Sequence, residues 1–252
     1  MDLQTVAWIL ASGLATGLGG LGLLLFRGTP RAVTLDTLLG FSAGVMLAAT
    51  AFSLLVPALD RGSLLEVLAG FALGSAFVAA LDAVVPHAHA RFREHGRLAA
   101  EEVAAEQRGA LLLSALTIHN IPEGLAVGVA FAAGGPDLGI PLALAIGIQN
   151  IPEGFAAAAP LLASGTSKRS AVAIAAATGA VEPPSALAAL GTFSLAETLL
   201  PAGLAFAAGA MLYVVVDELV PESHARGHER PASVALLIGF ALMLALDNAF
   251  GS

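Results

Sequence analysis

His119-Asn120-Ile121-Pro122-Glu123-Gly124 returns thirty positions later as Gln149-Asn150-Ile151-Pro152-Glu153-Gly154. Each copy lies inside a long apolar stretch, and in each a carboxylate follows a proline. A membrane-spanning helix needs roughly 20 apolar residues. Eight stretches of that kind run along the chain, over 5–26, 34–57, 63–86, 110–133, 138–163, 169–192, 198–220 and 232–250. Only helices or closed barrels satisfy their own backbone in lipid. These runs are too continuous for barrel strands, which alternate over about 10 residues. The expected fold is an all-α membrane protein with eight transmembrane helices. They form a single domain over 1–252, interrupted by a polar loop at about 87–109.

Composition agrees. Hydrophobic residues make up 57% of the 252-residue chain and charged residues only 12%, with a mean hydropathy of +0.85; a soluble domain carries about a quarter charged residues. The lipid bilayer is therefore the first expected partner. There is no cysteine, so disulfides and thiolate metal sites are excluded. No basic patch interleaves with aromatics, so no nucleic-acid partner is expected. Asp2 follows Met1 with no basic segment and no small-residue cleavage site, so the first stretch reads as a retained helix.

The basic residues orient the chain. With eight crossings both termini share one side. Loops after the first, third, fifth and seventh stretches hold Arg27, Arg31, Arg91, Arg93, Arg97, Arg108, Lys168, Arg169, Arg226 and Arg230, whereas the other set holds only Arg61. Positive loops stay in the cytoplasm, so both termini are expected outside.

Two further self-matches extend the repeat. Phe41-Ser42-Ala43-Gly44-Val45-Met46-Leu47 resembles Phe206-Ala207-Ala208-Gly209-Ala210-Met211-Leu212, and both lead to Leu-Val-Pro, at Leu55–Pro57 and Leu219–Pro221. The matched segments run in opposite directions across the membrane. That is the pattern of an inverted repeat, here 3+2+3, an architecture in which transporters place their site near the midplane.

Glu123, Glu153 and Glu182 lie deep inside their stretches, where a carboxylate costs about 2.5–3.5 kcal/mol even on the lenient insertion scale. No Lys or Arg lies inside any of the eight apolar interiors. Protons or metal cations must therefore balance these groups. The neighbours favour metal: at 100° per residue His119, Asn120 and Glu123 share one sector of their helix, as do Gln149, Asn150 and Glu153. Pro122 and Pro152 each open the local backbone, which membranes tolerate only against protein or a water-filled cavity. Imidazole, carboxylate and amide donors without thiolate suit Zn²⁺, Mn²⁺, Fe²⁺ or Co²⁺. The bland alternatives are a protonated structural Glu, a buried structural His, and Asn residues acting as interhelical glue.

The paired motifs resemble the ZIP (Zrt/Irt-like) family in its prokaryotic GufA-like branch. The likeness extends to eight helices, termini outside, a His-bearing third loop and the Met211–His224 stretch. The resemblance implies import of Zn²⁺ and related divalent metals (Fe²⁺, Mn²⁺, Co²⁺, Cd²⁺) across the bacterial inner membrane, with the metal as cargo and no cofactor. It maps the transport site onto His119, Asn120, Glu123, Gln149, Asn150, Glu153 and Glu182, with Met46 nearby. Many relatives carry His or Asp where this chain has Gln149 and Asn150, which bears on whether the site holds one metal or two. The pathway is expected to run inward past Ser53 and Asp247 and out past Asp82, Asp217, Glu218 and His224. The number of subunits is open, a homodimer being one arrangement. A membrane-embedded metal hydrolase is the competing class, but no H-E-x-x-H is present. A proton-coupled transporter of another substrate would use the same carboxylates.

Overall fold

The computed structural model describes residues 2–25, 30–84, 105–163 and 165–250, which are helical almost throughout. The elements are α1 (Leu3–Gly22), α2 (Ala32–Ala48), α3 (Val56–Arg61), α4 (Leu64–Val84), α5 (Ala105–Ala163), α6 (Lys168–Gly179), α7 (Glu182–Leu195), α8 (Leu200–Val214), α9 (Val220–Ser223) and α10 (Glu229–Phe250). Most of the loop expected at 87–109, with His87, His89 and His95, lies outside the described residues; helix resumes at Ala105.

Among the described residues, seven helical elements are long and apolar enough to cross a membrane. One of them, Thr117–Ala159, has 43 residues. As a straight rod it would measure roughly 65 Å, about twice the hydrocarbon thickness of about 30 Å. It is not straight: Gly135 has φ 57 and ψ −142, a left-handed backbone that favours glycine, and Pro136 follows. The arms on either side of Gly135 carry the stretches expected at 110–133 and 138–163. Large apolar side chains also face outward: Leu3, Leu25, Leu65, Leu73, Leu195 and Leu237 are all more than half exposed. An apolar exterior around a polar centre identifies an integral, multi-pass membrane protein.

Prolines set the internal breaks. Ala49–Leu55 and Val215–Leu219 are π-helical. In each, the N–H that precedes a proline bonds five residues back: Val56 to the Ala51 carbonyl, Val220 to the Val215 carbonyl. The rings of Pro57 and Pro221 would clash with the carbonyls four residues earlier, so the turn widens. The twin Leu-Val-Pro signatures thus mark twin π-segments, a feature frequent at functional sites. A second break, between α6 and α7, leaves Glu182 in the first turn of α7 with Pro183 and Pro184 after it. The prolines remove backbone donors that would otherwise be orphaned, and the helix dipole favours a carboxylate there.

Glycines let the helices approach to backbone contact, as small residues do in membranes. A Cβ on Gly44 would run into the Leu236 carbonyl, and one on Gly209 into the Phe71 carbonyl. Likewise Gly239 meets the Phe41 carbonyl and Gly74 the Phe206 carbonyl. In both comparisons every residue and its counterpart are 165 positions apart. These contacts join α2 to α10 and α4 to α8. A second set joins α1, α5 and α7: Gly154 meets the Thr16 carbonyl, Gly124 the Glu182 carbonyl, and Gly13 the Pro183 ring. The polar site lies where the two helix groups meet.

Candidate metal centre

Glu123, Gln149 and Asn150 are 0% exposed and Glu182 is 1% exposed. The N-terminal arm of α5 supplies Glu123, the C-terminal arm supplies Gln149, Asn150 and Glu153, and α7 supplies Glu182. Glu123 lies beside Gln149 and Glu153, and its carboxyl is within electrostatic reach of Glu182. The structure therefore gathers residues from both copies of the motif and the broken helix into one pocket. No Lys or Arg pairs with these three carboxyls among the described residues.

The pocket is unevenly satisfied. Both oxygens of Glu123, Oε1 of Glu153 and Oε1 of Gln149 are buried with no hydrogen-bond donor. Leaving a buried acceptor unpaired costs about 1–3 kcal/mol, more for a charged group. Glu182, by contrast, is fully engaged. Asn150 Nδ2 donates to its two oxygens at 2.9 and 2.8 Å, and Thr16 Oγ1 donates to Oε1 at 3.1 Å. Asn150 Nδ2 also reaches the Ser12 carbonyl at 2.9 Å, while its Oδ1 accepts from Gln149 Nε2 at 2.8 Å. Ser42 Oγ donates to the Gln149 carbonyl at 3.0 Å, tying α2 to α5.

His119 and Asn120 are buried on the same arm as Glu123, at 8% and 4% exposure. His119 Nε2 lies 3.1 Å from Glu218 Oε2, on the π-segment after α8. Met46 is fully buried within the apolar core. Among the described residues no three His, Asp or Glu side chains form a metal cluster by themselves.

The expected pathway residues fall in different places. Ser53 Oγ donates to Asp247 at 2.8 Å, linking the first π-segment to α10. Asp217 is exposed and Glu218 half-buried. His224 is tied down by Ser223, the Val220 carbonyl and Ser233 at 2.8–3.1 Å. Asp82 lies on α4, and its side chain is outside the described set.

Two groups escaped the sequence reading. Thr16, whose hydroxyl donates to Glu182, is one. Asp36 is the other: its side chain is fully buried, held by Arg226 Nη1 at 2.7 Å and His228 Nδ1 at 2.9 Å. Arg226 also pairs with Glu222. The cluster fastens the start of α2 to the segment between α9 and α10, well away from the carboxylate pocket in sequence.

The comparisons with known proteins agree on one family. The profile described as ZIP Zinc transporter matches residues 94–247. "Zinc transporter GufA" of Myxococcus xanthus is 43% identical over the full length of both chains. "Zinc transporter ZIPB" of Bordetella bronchiseptica is 43% identical over 94% of this chain and 78% of its own. "Zinc transporter ZIP11" of Homo sapiens is 34% identical over 86% of this chain and 89% of its own.

Proposed function

The chain belongs to the ZIP zinc transporter family, and on that premise we propose that it carries divalent metal ions, Zn²⁺ foremost, across the cytoplasmic membrane into the cytoplasm. The observation that carries this reading is the set of buried oxygens without donors on Glu123, Glu153 and Gln149. A bound divalent cation would satisfy all of them together, and among the described residues no Lys or Arg pairs with these carboxyls. His119, Glu123 and Glu153 are the principal ligands. Asn120, Gln149, Asn150 and Glu182 complete the site, with Met46 as a further candidate ligand. This nitrogen-and-oxygen donor set suits Zn²⁺ and also admits Fe²⁺, Mn²⁺, Co²⁺ and Cd²⁺.

The architecture of this reading is eight crossings, counting the arms of α5 separately, in a 3+2+3 inverted repeat with both termini outside. The glycine contacts matched at 165 positions and the twin π-segments support it. Metal enters past Ser53 and Asp247. It is received when His119 turns from Glu218 toward Glu123, and it leaves past Glu218, Asp217, Asp82 and His224.

Proteoliposomes containing the full chain test this function. Uptake of Zn²⁺, Mn²⁺, Fe²⁺, Co²⁺ and Cd²⁺ is followed with and without a pH gradient. Protein-dependent Zn²⁺ accumulation is expected; proton flux without any metal uptake would favour transport of another substrate.

A further inference from the structure

α1 and α6 run antiparallel and in contact: Gly20 lies against Val172 and Ala175, Gly17 against Ala176, and Gly13 against Pro183 at the start of α7. Along the outer side of this pair runs a groove of about 560 Å³. It extends from Ala11 to Leu21 on α1 and past Val172 and Ala176 on α6. The helices touch at its floor, where a Cβ on Gly17 would stand 3.3 Å from the Ala176 Cβ. Its rim is open, with Leu18 59% and Leu21 47% exposed.

Length and charge together say what lies there. From Ala11 to Leu21 a helix rises roughly 15 Å, half of the about 30 Å of hydrocarbon in a bilayer. That is the depth of a single leaflet. α1 carries no charged residue from Leu3 to Gly22, and α6 carries only Lys168 and Arg169, both in its first turn. Charge therefore stands at one end of the groove alone, and it is positive. At 100° per residue Arg169, Val172 and Ala176 fall within about 60° of one another, so Arg169 continues the groove-lining face of α6. It is exposed, and among the described residues it has no carboxylate partner.

We propose that the α1–α6 groove is a binding site for an anionic phospholipid, with one acyl chain along the groove and the phosphate at Arg169, beside Lys168. The lipid comes from the leaflet on the side of the basic loops. An acyl chain in an apolar groove accepts any headgroup; a basic residue one turn beyond the groove makes the site select a negative one. Each Lys or Arg near an anionic surface contributes about 1 kcal/mol. The inference stands independently of which metal the chain carries.

The test compares headgroups. Full-length protein in detergent is titrated with dioleoyl phosphatidylglycerol and with dioleoyl phosphatidylcholine, and bound lipid is counted by native mass spectrometry. Wild type is expected to prefer phosphatidylglycerol. Arg169→Gln should lower that preference about fivefold, and Arg169→Lys should keep it. Arg230→Gln removes an equally exposed charge at the start of α10 and should leave it unchanged. Dihexanoyl phosphatidylglycerol, whose chains are too short to fill the groove, should bind far more weakly. Equal retention of the two dioleoyl lipids by wild type overturns the proposal. So does an unchanged preference in Arg169→Gln, an equal loss in Arg230→Gln, or undiminished binding of the short-chain lipid. A photoreactive benzophenone side chain placed at Leu18 and irradiated in native membranes identifies the occupant. A phospholipid adduct supports the proposal, whereas a crosslink to a second copy of the chain or to another membrane protein overturns it.

Discussion

His119 and Glu218 face each other across the junction of the two helix groups, Nε2 to Oε2 at 3.1 Å. An imidazole binds metal through an unprotonated nitrogen. While Nε2 is hydrogen-bonded to a carboxylate it carries the proton, so metal at that nitrogen must displace Glu218. Glu218→Gln weakens the competitor. The expected result is a severalfold lower Kd for Zn²⁺ at equilibrium together with slower uptake, because release loses its competing acceptor. Weaker binding in this variant would show that Glu218 supports the site rather than competes with it.

The glycine contacts predict a sharp contrast in stability. Gly44→Ala and Gly209→Ala each drive a methyl into a facing carbonyl, of Leu236 and Phe71. Overpacking of this kind costs about 1–3 kcal/mol. Gly191 has open space where its Cβ would stand, and Gly191→Ala should be neutral or stabilising by up to about 1 kcal/mol. Thermal unfolding in detergent compares the three.

Asp36 predicts a loss of stability without a loss of metal binding. Asp36→Asn removes the charge that holds Arg226 and His228. A fully buried pair loses about 3–5 kcal/mol when one partner goes. Arg226 keeps 27% of its side-chain exposure, so the cost should fall below that range. A lowered melting temperature with metal content unchanged is expected; loss of bound metal would tie this cluster to the transport site.

Orientation is testable from the basic loops. Single cysteines placed at Arg27, Arg97, Lys168 and Arg230 should resist impermeant thiol reagents in intact cells, since positive loops stay in the cytoplasm. Labelling from outside at two or more of them would reverse the topology.

Much of the architecture was legible because lipid imposes long apolar runs. The ends of α1, α4 and α10 lie within a few residues of the expected stretches. The break inside α5 falls at Gly135, between the expected stretches 110–133 and 138–163, where the backbone leaves helical geometry. The π-segments were harder to read. Leu-Val-Pro announces a disturbed turn, but whether the ladder shifts to a five-residue spacing depends on the surrounding packing. Thr16 was invisible for a different reason. Hydroxyls in helices usually bond back to their own chain, as those of Ser12, Thr37, Thr178 and Ser185 do here. Nothing in the sequence separates Thr16, which reaches Glu182 across 166 positions, from these. The carboxylates of the pocket were legible because a Glu at mid-membrane has few explanations. The partner of His119 was not, since Glu218 lies 99 positions away in a segment that reads as interfacial.

The central claim is that metal is carried on the carboxylates of the doubled motif. Its most direct test is Zn²⁺ uptake per correctly inserted molecule in proteoliposomes for wild type, Glu123→Ala and Glu153→Ala, with bound metal measured on the same preparations. Uptake in both variants is predicted to fall to background, with bound Zn²⁺ lost from Glu123→Ala. Near-normal uptake in either variant would contradict the account and leave the duplicated Asn-Ile-Pro-Glu-Gly as architecture rather than chemistry.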